Sequence, residues 1–242
     1  PWIVAGSATP STLLPEERII TFLVANAAAG KVKELKRDWS FLPPHMHAAG
    51  MEALLQNHLL VGFPRTINAI AAVHQVGVES TADWMTEPKG DPAYWRTRGE
   101  EALGTIYGAK YERLRQRMEK LHPVLDSIMA EHAYGRVISR EGALSLRMRE
   151  LCVVAVLTGQ DVQPQLQSHL YGARNVGASA EEIAAVVGQT KLPWGVQAQE
   201  QATNTLQEFL NDIKTLERAK LEGGEHQSDG AGGSVERRSK MQ

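Results

Sequence analysis

The chain has 242 residues, a formal net charge of −2, 22% charged residues and a single cysteine, Cys152. That length supplies ample core for one large domain or two small ones, and the nearly balanced charge speaks against an electrostatic nucleic-acid binder. The apolar runs fall short of the roughly 20 residues that span a bilayer, and one cysteine excludes an internal disulfide framework or an intrachain two-cysteine redox pair.

The sequence begins at Pro1, from which we expect a processed or trimmed start. A targeting peptide is then not readable, and an intracellular compartment, cytoplasm or organelle matrix, is the expectation. Residues 1–14 read as an irregular arm broken by Gly6, Pro10 and Ser11. Pro15 suits the first turn of a helix and Glu16 and Glu17 its positive end, and Ile19, Ile20, Phe22, Leu23 and Val24 carry that helix to about Gly30. Further helices are expected over Lys31–Trp39, ended by Pro43-Pro44, over Ala48–Val61, and over Arg65–His74 after a break at Gly62-Phe63-Pro64. Residues 77–99, with Gly77, Pro88, Gly90 and Pro92, read as a connector pinned by Trp84, Tyr94 and Trp95.

A long amphipathic helix is expected over Glu100–Lys120, then a turn at His122-Pro123 and a helix over Val124–Tyr134. Ser145 caps a central helix whose apolar run, Leu151–Leu157, carries Glu150 at its start. After a break at Thr158-Gly159 comes a polar helical segment bearing His169, stopped at Gly177, and Ser179 to Glu182 form the capping box of the next helix. That helix ends near Pro193, a last one runs over Val196–Leu221, and residues 222–242, Gly/Ser-rich and charged, read as a disordered tail. Nothing alternates as a strand, so the fold class is all-α.

Two further features concern organisation. A shift of 132 places Ile19–Val24 on Leu151–Val156 and Trp39 on Tyr171, and a shift of 133 places Gln56 on Gln189, Leu59 on Leu192 and Gly62 on Gly195. Residues 15–76 are thus a degenerate first repeat and 100–221 hold the second. At the chemical positions the copies differ: Arg18 lies opposite Glu150, and Arg37 opposite His169. A glutamate leading into an apolar helix is costly unless paired or protonated, and His169 is the expected partner.

Ala133-Tyr134-Gly135-Arg136, Ser139-Arg140-Glu141-Gly142, Arg147-Met148-Arg149-Glu150-Leu151, Gln167-Ser168-His169 and Gly172-Ala173-Arg174-Asn175-Val176-Gly177 resemble the carboxymuconolactone decarboxylase family, which includes the AhpD-like alkylhydroperoxidases. The likeness is good from about Glu100 to Leu210 and a faded echo over residues 15–75. It implies an all-α AhpD-like fold and a homo-oligomer, a trimer or hexamer-like ring. The peroxidase branch has a Cys-x-x-Cys pair between its glutamate and histidine. Here Glu150 and His169 keep the spacing, but the cysteine positions are Val162 and Gln165, so neither a disulfide cycle nor thiolate attack on peroxide is possible there. Cys152, two residues after Glu150, points to another helix face and reads as a core thiol.

The decarboxylase branch needs no cofactor and acts on a small carboxylated lactone. On that reading His169 is the general acid, oriented by Glu150, with Gln165 lining the site, and Arg147, Arg149 and Arg174 are candidates to bind substrate carboxylate, with Arg136 and Arg140 behind them. Each has a plainer reading: a histidine bonded to a neighbour, a capping or ion-pairing carboxylate, arginines in solvated surface pairs. His45 and His47 beside Pro43-Pro44 lack a third ligand, so no metal site is expected, and His58 reads as a core histidine. The expected partner is a small carboxylated organic molecule, with no nucleic acid and no membrane. A non-catalytic assembly protein on the same fold is the alternative; an AhpD-like peroxidase is disfavoured by the missing cysteine pair.

Overall fold

Pro15 opens α1 (Pro15–Ala29), where the Leu14 amide donates to the Glu17 carboxylate at 3.1 Å and Gly30 ends the helix in the left-handed conformation at φ 73°. These elements belong to a computed structural model that describes residues 13–78 and 89–228. The expected arm before Leu13, Trp84 in the connector and the tail beyond Ser228 lie outside the described residues. After α2 (Val32–Phe41) a short 3-10 turn leads into α3 (His47–Gln56) and α4 (His58–His74). The helix expected over Ala48–Val61 divides at Asn57, whose side-chain amide donates to the Val24 carbonyl at 3.0 Å. The expected break at Gly62 is a kink within α4, with φ 76° and ψ 169° at the glycine.

The connector ends earlier than the sequence suggested. Asp91 accepts from the Tyr94 amide at 2.8 Å and Pro92 occupies the first turn, so α5 (Pro92–Tyr107) begins inside it. Trp95 is buried on that helix, and its indole donates to the Gly90 carbonyl at 3.1 Å. Gly108, at φ 52°, breaks the helix expected over Glu100–Lys120, and α6 (Tyr111–Leu121) follows. Then α7 (Pro123–Ile128) widens into a π-helix, Met129–Ile138. The π-helix and α5 meet backbone to backbone: a Cβ at Gly99 would lie 1.8 Å from the Ala130 carbonyl oxygen, and one at Gly135 2.1 Å from that of Trp95.

The Met148 amide donates to Ser145 Oγ at 3.3 Å, capping α8 (Leu146–Leu157), which leads to α9 (Gln163–Asn175). The capping box at Ser179 and Glu182 opens α10 (Ala180–Gln189), followed by α11 (Lys191–Trp194) and α12 (Val196–Ser228). The last helix continues past Leu221 to Ser228, into the stretch expected as tail. No strand occurs among the described residues; the fold is all-α.

Helices α1 and α8 pack together at the centre, where Ile20, Leu23, Val24, Leu151, Val154 and Val156 are wholly buried, each aliphatic side chain contributing about 1.5–3 kcal/mol. Around them α1 packs on α2 as α8 packs on α9, and α2 packs on α4 as α9 packs on α12. The cross-links are reciprocal as well: Gln56 of α3 donates to the Arg149 carbonyl on α8 at 2.9 Å, and Gln189 of α10 donates to the Thr21 hydroxyl on α1.

Candidate functional site

With Ser145 setting its start, α8 places Glu150 one turn into the helix, facing α9, where the carboxylate is wholly buried. His169 projects from α9 so that its Nδ1 lies 2.8 Å from Glu150 Oε2, the distance of a charge-assisted hydrogen bond. Gly172 makes room for this: a Cβ there would stand 2.7 Å from Oε2 and 2.8 Å from Ile106 Cγ2. Glu150 Oε1 is buried with no hydrogen-bond partner, a costly arrangement for a carboxylate unless something fills it. With Nδ1 engaged, Nε2 is the ring atom left for proton exchange.

Two phenols complete the cluster. Tyr107 at the end of α5 and Tyr134 on the π-helix bring their hydroxyls to 2.8 Å, and the Tyr107 ring meets His169 edge to face with centroids 6.2 Å apart. Burial pushes the Tyr107 hydroxyl up to about 12, opposed by the bond to Tyr134 and aided by the nearby Glu150 charge. Tyr134, deeper still, is held well above the ordinary tyrosine range by burial and by the charges of Tyr107 and Glu150. Both are therefore neutral hydroxyls at physiological pH. Tyr107 also forms a wall of a groove of about 470 Å³ lined by Lys110, Ser168, Tyr171, Asn175 and Asp212. Lys110 Nζ sits 4.0 Å above the Tyr171 ring, and the Tyr171 hydroxyl donates to Asp212 Oδ2 at 2.5 Å.

A family model described as the carboxymuconolactone decarboxylase family matches residues 123–208. A Schizosaccharomyces pombe protein named Peroxisomal protein 2 is 30% identical over 211 residues, which cover 84% of this chain and 94% of that protein. This chain belongs to the carboxymuconolactone decarboxylase family. A Saccharomyces cerevisiae protein, also named Peroxisomal protein 2, is 26% identical over 179 residues, 62% of each chain.

Against that family assignment, the residues singled out from the sequence separate into two groups. Glu150 and His169 come together. The arginines do not join them. Arg149, wholly buried, gives its guanidinium to Glu52 Oε2 at 2.8 Å, to Gln56 Oε1 at 3.3 Å and to the Arg140 carbonyl at 3.1 Å. Arg147 bridges Glu17 at 2.7 Å and Glu182, and Arg174 pairs with Glu217 at 3.1 Å on the surface. Arg140 binds Glu52 at 2.7 Å, and Arg136 lies over the Trp95 ring at 5.0 Å. Arg140, Arg147 and Arg149 are thus committed to carboxylates distant in sequence that fold against them. Gln165, at one of the family's cysteine positions, is exposed to solvent rather than enclosed with the pair.

Cys152 is buried, and desolvation pushes its thiol up to about 12, leaving no thiolate for peroxide chemistry at neutral pH. His47 stacks on Trp39 with centroids 4.7 Å apart. His58 is half-buried rather than a core residue, its Nε2 lying 2.9 Å from His132 Nε2. Among the described residues no three His, Cys, Asp or Glu side chains are grouped to hold a metal ion, and no helix is long and apolar enough to cross a membrane. Sequence reasoning missed Tyr107, Tyr134 and Lys110 as site residues. Tyr134 stood inside a quoted family segment, but no spacing in the sequence ties it to Tyr107.

Proposed function

We propose that this chain is a cofactor-free proton-transfer enzyme that decarboxylates a small carboxylated lactone, with His169 as general acid and Glu150 as its orienting partner. The observation that carries the reading is the buried Glu150 carboxylate, bonded to His169 at one oxygen and without a hydrogen-bond partner at the other. In the reaction the bond from lactone carbon to carboxylate breaks, carbon dioxide leaves, and the electron pair spreads into the lactone. The imidazolium, stabilised by Glu150 at Nδ1, then delivers the Nε2 proton to carbon. Substrate enters by the groove beside Tyr107, where Lys110 is the cation placed for its remaining carboxylate.

The two helix groups act as repeats, the first closing the core of the second, and the chain assembles into a homo-oligomeric ring. Leu121, Val124, Leu125 and Ile128 form an exposed apolar run suited to such packing. That run also supports the second reading, an assembly protein without turnover. The names of the yeast relatives suggest a peroxisomal setting. Decarboxylation of carboxymuconolactone, followed by ultraviolet absorbance with His169→Ala alongside, tests the proposal. Turnover by the native protein that is lost in a variant of unchanged helicity supports it; turnover unchanged in the variant discards the site, and none in either leaves the assembly reading.

A further inference from the structure

We infer that the Tyr107–Tyr134 hydroxyl pair is the anion-holding part of this site, donating a hydrogen bond to the lactone oxygen on which charge develops as carbon dioxide leaves. This rests on the reading of Glu150 and His169 as the proton-transfer pair. Two hydroxyls 2.8 Å apart carry two protons and share one hydrogen bond between them. One proton is spent on the shared bond and one remains to donate elsewhere. With Tyr134 donating across the shared bond, the spare proton is on Tyr107, and burial of Tyr134 behind it, at 6% exposure, means that the pair is set in place before a ligand arrives.

Position favours Tyr107 as the member that touches substrate. Its ring forms one wall of the groove and also meets the His169 imidazole. Tyr107 thus stands between the groove it lines and the imidazole its ring touches. Tyr134 acts through Tyr107 and is a positioning residue. The π-helix supplies that placement: its widened turns are a deviation often found at functional sites, and the glycine contacts at Gly99 and Gly135 hold it against α5.

The charge balance of the site asks for neutral donors. Arg147 and Arg149 are committed to Glu17, Glu182 and Glu52, so neither is spare to face the developing anion. The proposed reaction starts from a Glu150 carboxylate beside an imidazolium that carries N–H at both Nδ1 and Nε2, a net-neutral pair. Loss of carbon dioxide moves the bonding pair through the conjugated lactone to its carbonyl oxygen, where the hydroxyl donates without giving up its proton. The imidazolium proton then goes to carbon, the enolate collapses to lactone, and the pair regains a proton from water. A neutral hydroxyl in a dry site can stabilise such an oxyanion by a large margin, removal of one such donor costing about 10²–10³ in turnover.

The test uses tetronate, a stable lactone enolate, as the probe, with neutral butenolide as its control and binding followed by calorimetry. Tyr107→Phe removes the hydroxyl and keeps the ring. Tetronate binding is expected to weaken about tenfold or more in Tyr107→Phe and less in Tyr134→Phe, with butenolide binding unchanged and melting temperatures matched. In the decarboxylation assay the same variants should lose kcat with KM held within about twofold, the pattern of an interaction made only in the transition state. Equal tetronate affinity in native protein and Tyr107→Phe, or no tetronate binding by the native protein, overturns the inference. Tyrosine-dependent tetronate binding without turnover of carboxymuconolactone keeps the hydroxyl pair and discards the reaction; turnover indifferent to Tyr107→Phe does the reverse.

Discussion

The helix pairs α1–α2 and α8–α9 each bury a carboxylate where they cross, and the two carboxylates are treated differently. Asp38 accepts from Asn26 Nδ2 at 2.6 Å on one oxygen and from Arg37 at 3.4 Å on the other, so it is closed. Burial pushes its pKa up and the bond to Asn26 pulls it back, but an amide cannot exchange a proton with it. Glu150 has an imidazole on one oxygen and an unpartnered position on the other, near two phenols of which Tyr107 lines a groove. The same packing thus makes a structural polar pair in one half and a chemically competent one in the other. The difference lies in whether the carboxylate's partner can move a proton and whether its second oxygen is already taken.

The sharpest separation of fold from chemistry should come from Glu52 and Glu150. Glu52→Gln strands the wholly buried Arg149 guanidinium, and a loss of about 3–5 kcal/mol is expected, read as a fall in the urea midpoint. Next, Glu150→Gln should leave the urea midpoint near that of the native protein while lowering decarboxylation about 10²-fold or more. Asp38→Asn, at the buried carboxylate of the α1–α2 pair, should leave turnover within about twofold of native. Comparable activity losses at both carboxylates would break the comparison.

A smaller effect is expected at Gly172. The added methyl of Gly172→Ala meets Glu150 Oε2, so turnover should fall with a stability loss of about 1–3 kcal/mol; native activity would show that the carboxylate's position is not tightly held. The smallest effect is on pH dependence. Burial alone would raise the Glu52 carboxyl, but the bonds from Arg140 and Arg149 outweigh it and hold it below the ordinary value of 4.5. Its stabilisation is therefore complete above that value and lost as pH falls through the lower folded value. Asp38, raised above 3.8 chiefly by burial, works in the opposite sense: its contribution is present below that value and lost as pH rises through the folded one. Denaturation over acid pH should show a shallower acid limb in Glu52→Gln and the loss of the opposing slope in Asp38→Asn.

Local signals read well from the sequence because their physics is local. Pro15 with its acidic first turn, Ser145 and the Ser179–Glu182 box each start a helix where expected. The start of α5 was equally local, in Asp91-Pro92, but lay hidden inside an aromatic, Gly/Pro-rich stretch read as connector. The π-helix was not legible, since it depends on the close contact with α5 at Gly99 and Gly135. Glu150 and His169 were picked out by family spacing. That Arg149 and Arg147 pair inside the chain was not legible, because Glu52 and Glu17 lie far away in sequence.

The sequence by itself determined an all-α chain, most of its helix starts, membership of the family and the acid–histidine spacing, because caps, periodicity and motif spacing act within a turn or two of backbone. Only the tertiary structure decided which charges are paired internally, that one buried oxygen of Glu150 has no hydrogen-bond partner, and that Tyr107 and Tyr134 meet beside His169. Those outcomes depend on which groups from distant helices share the same buried volume, and a buried polar atom left without a partner is a property of that volume.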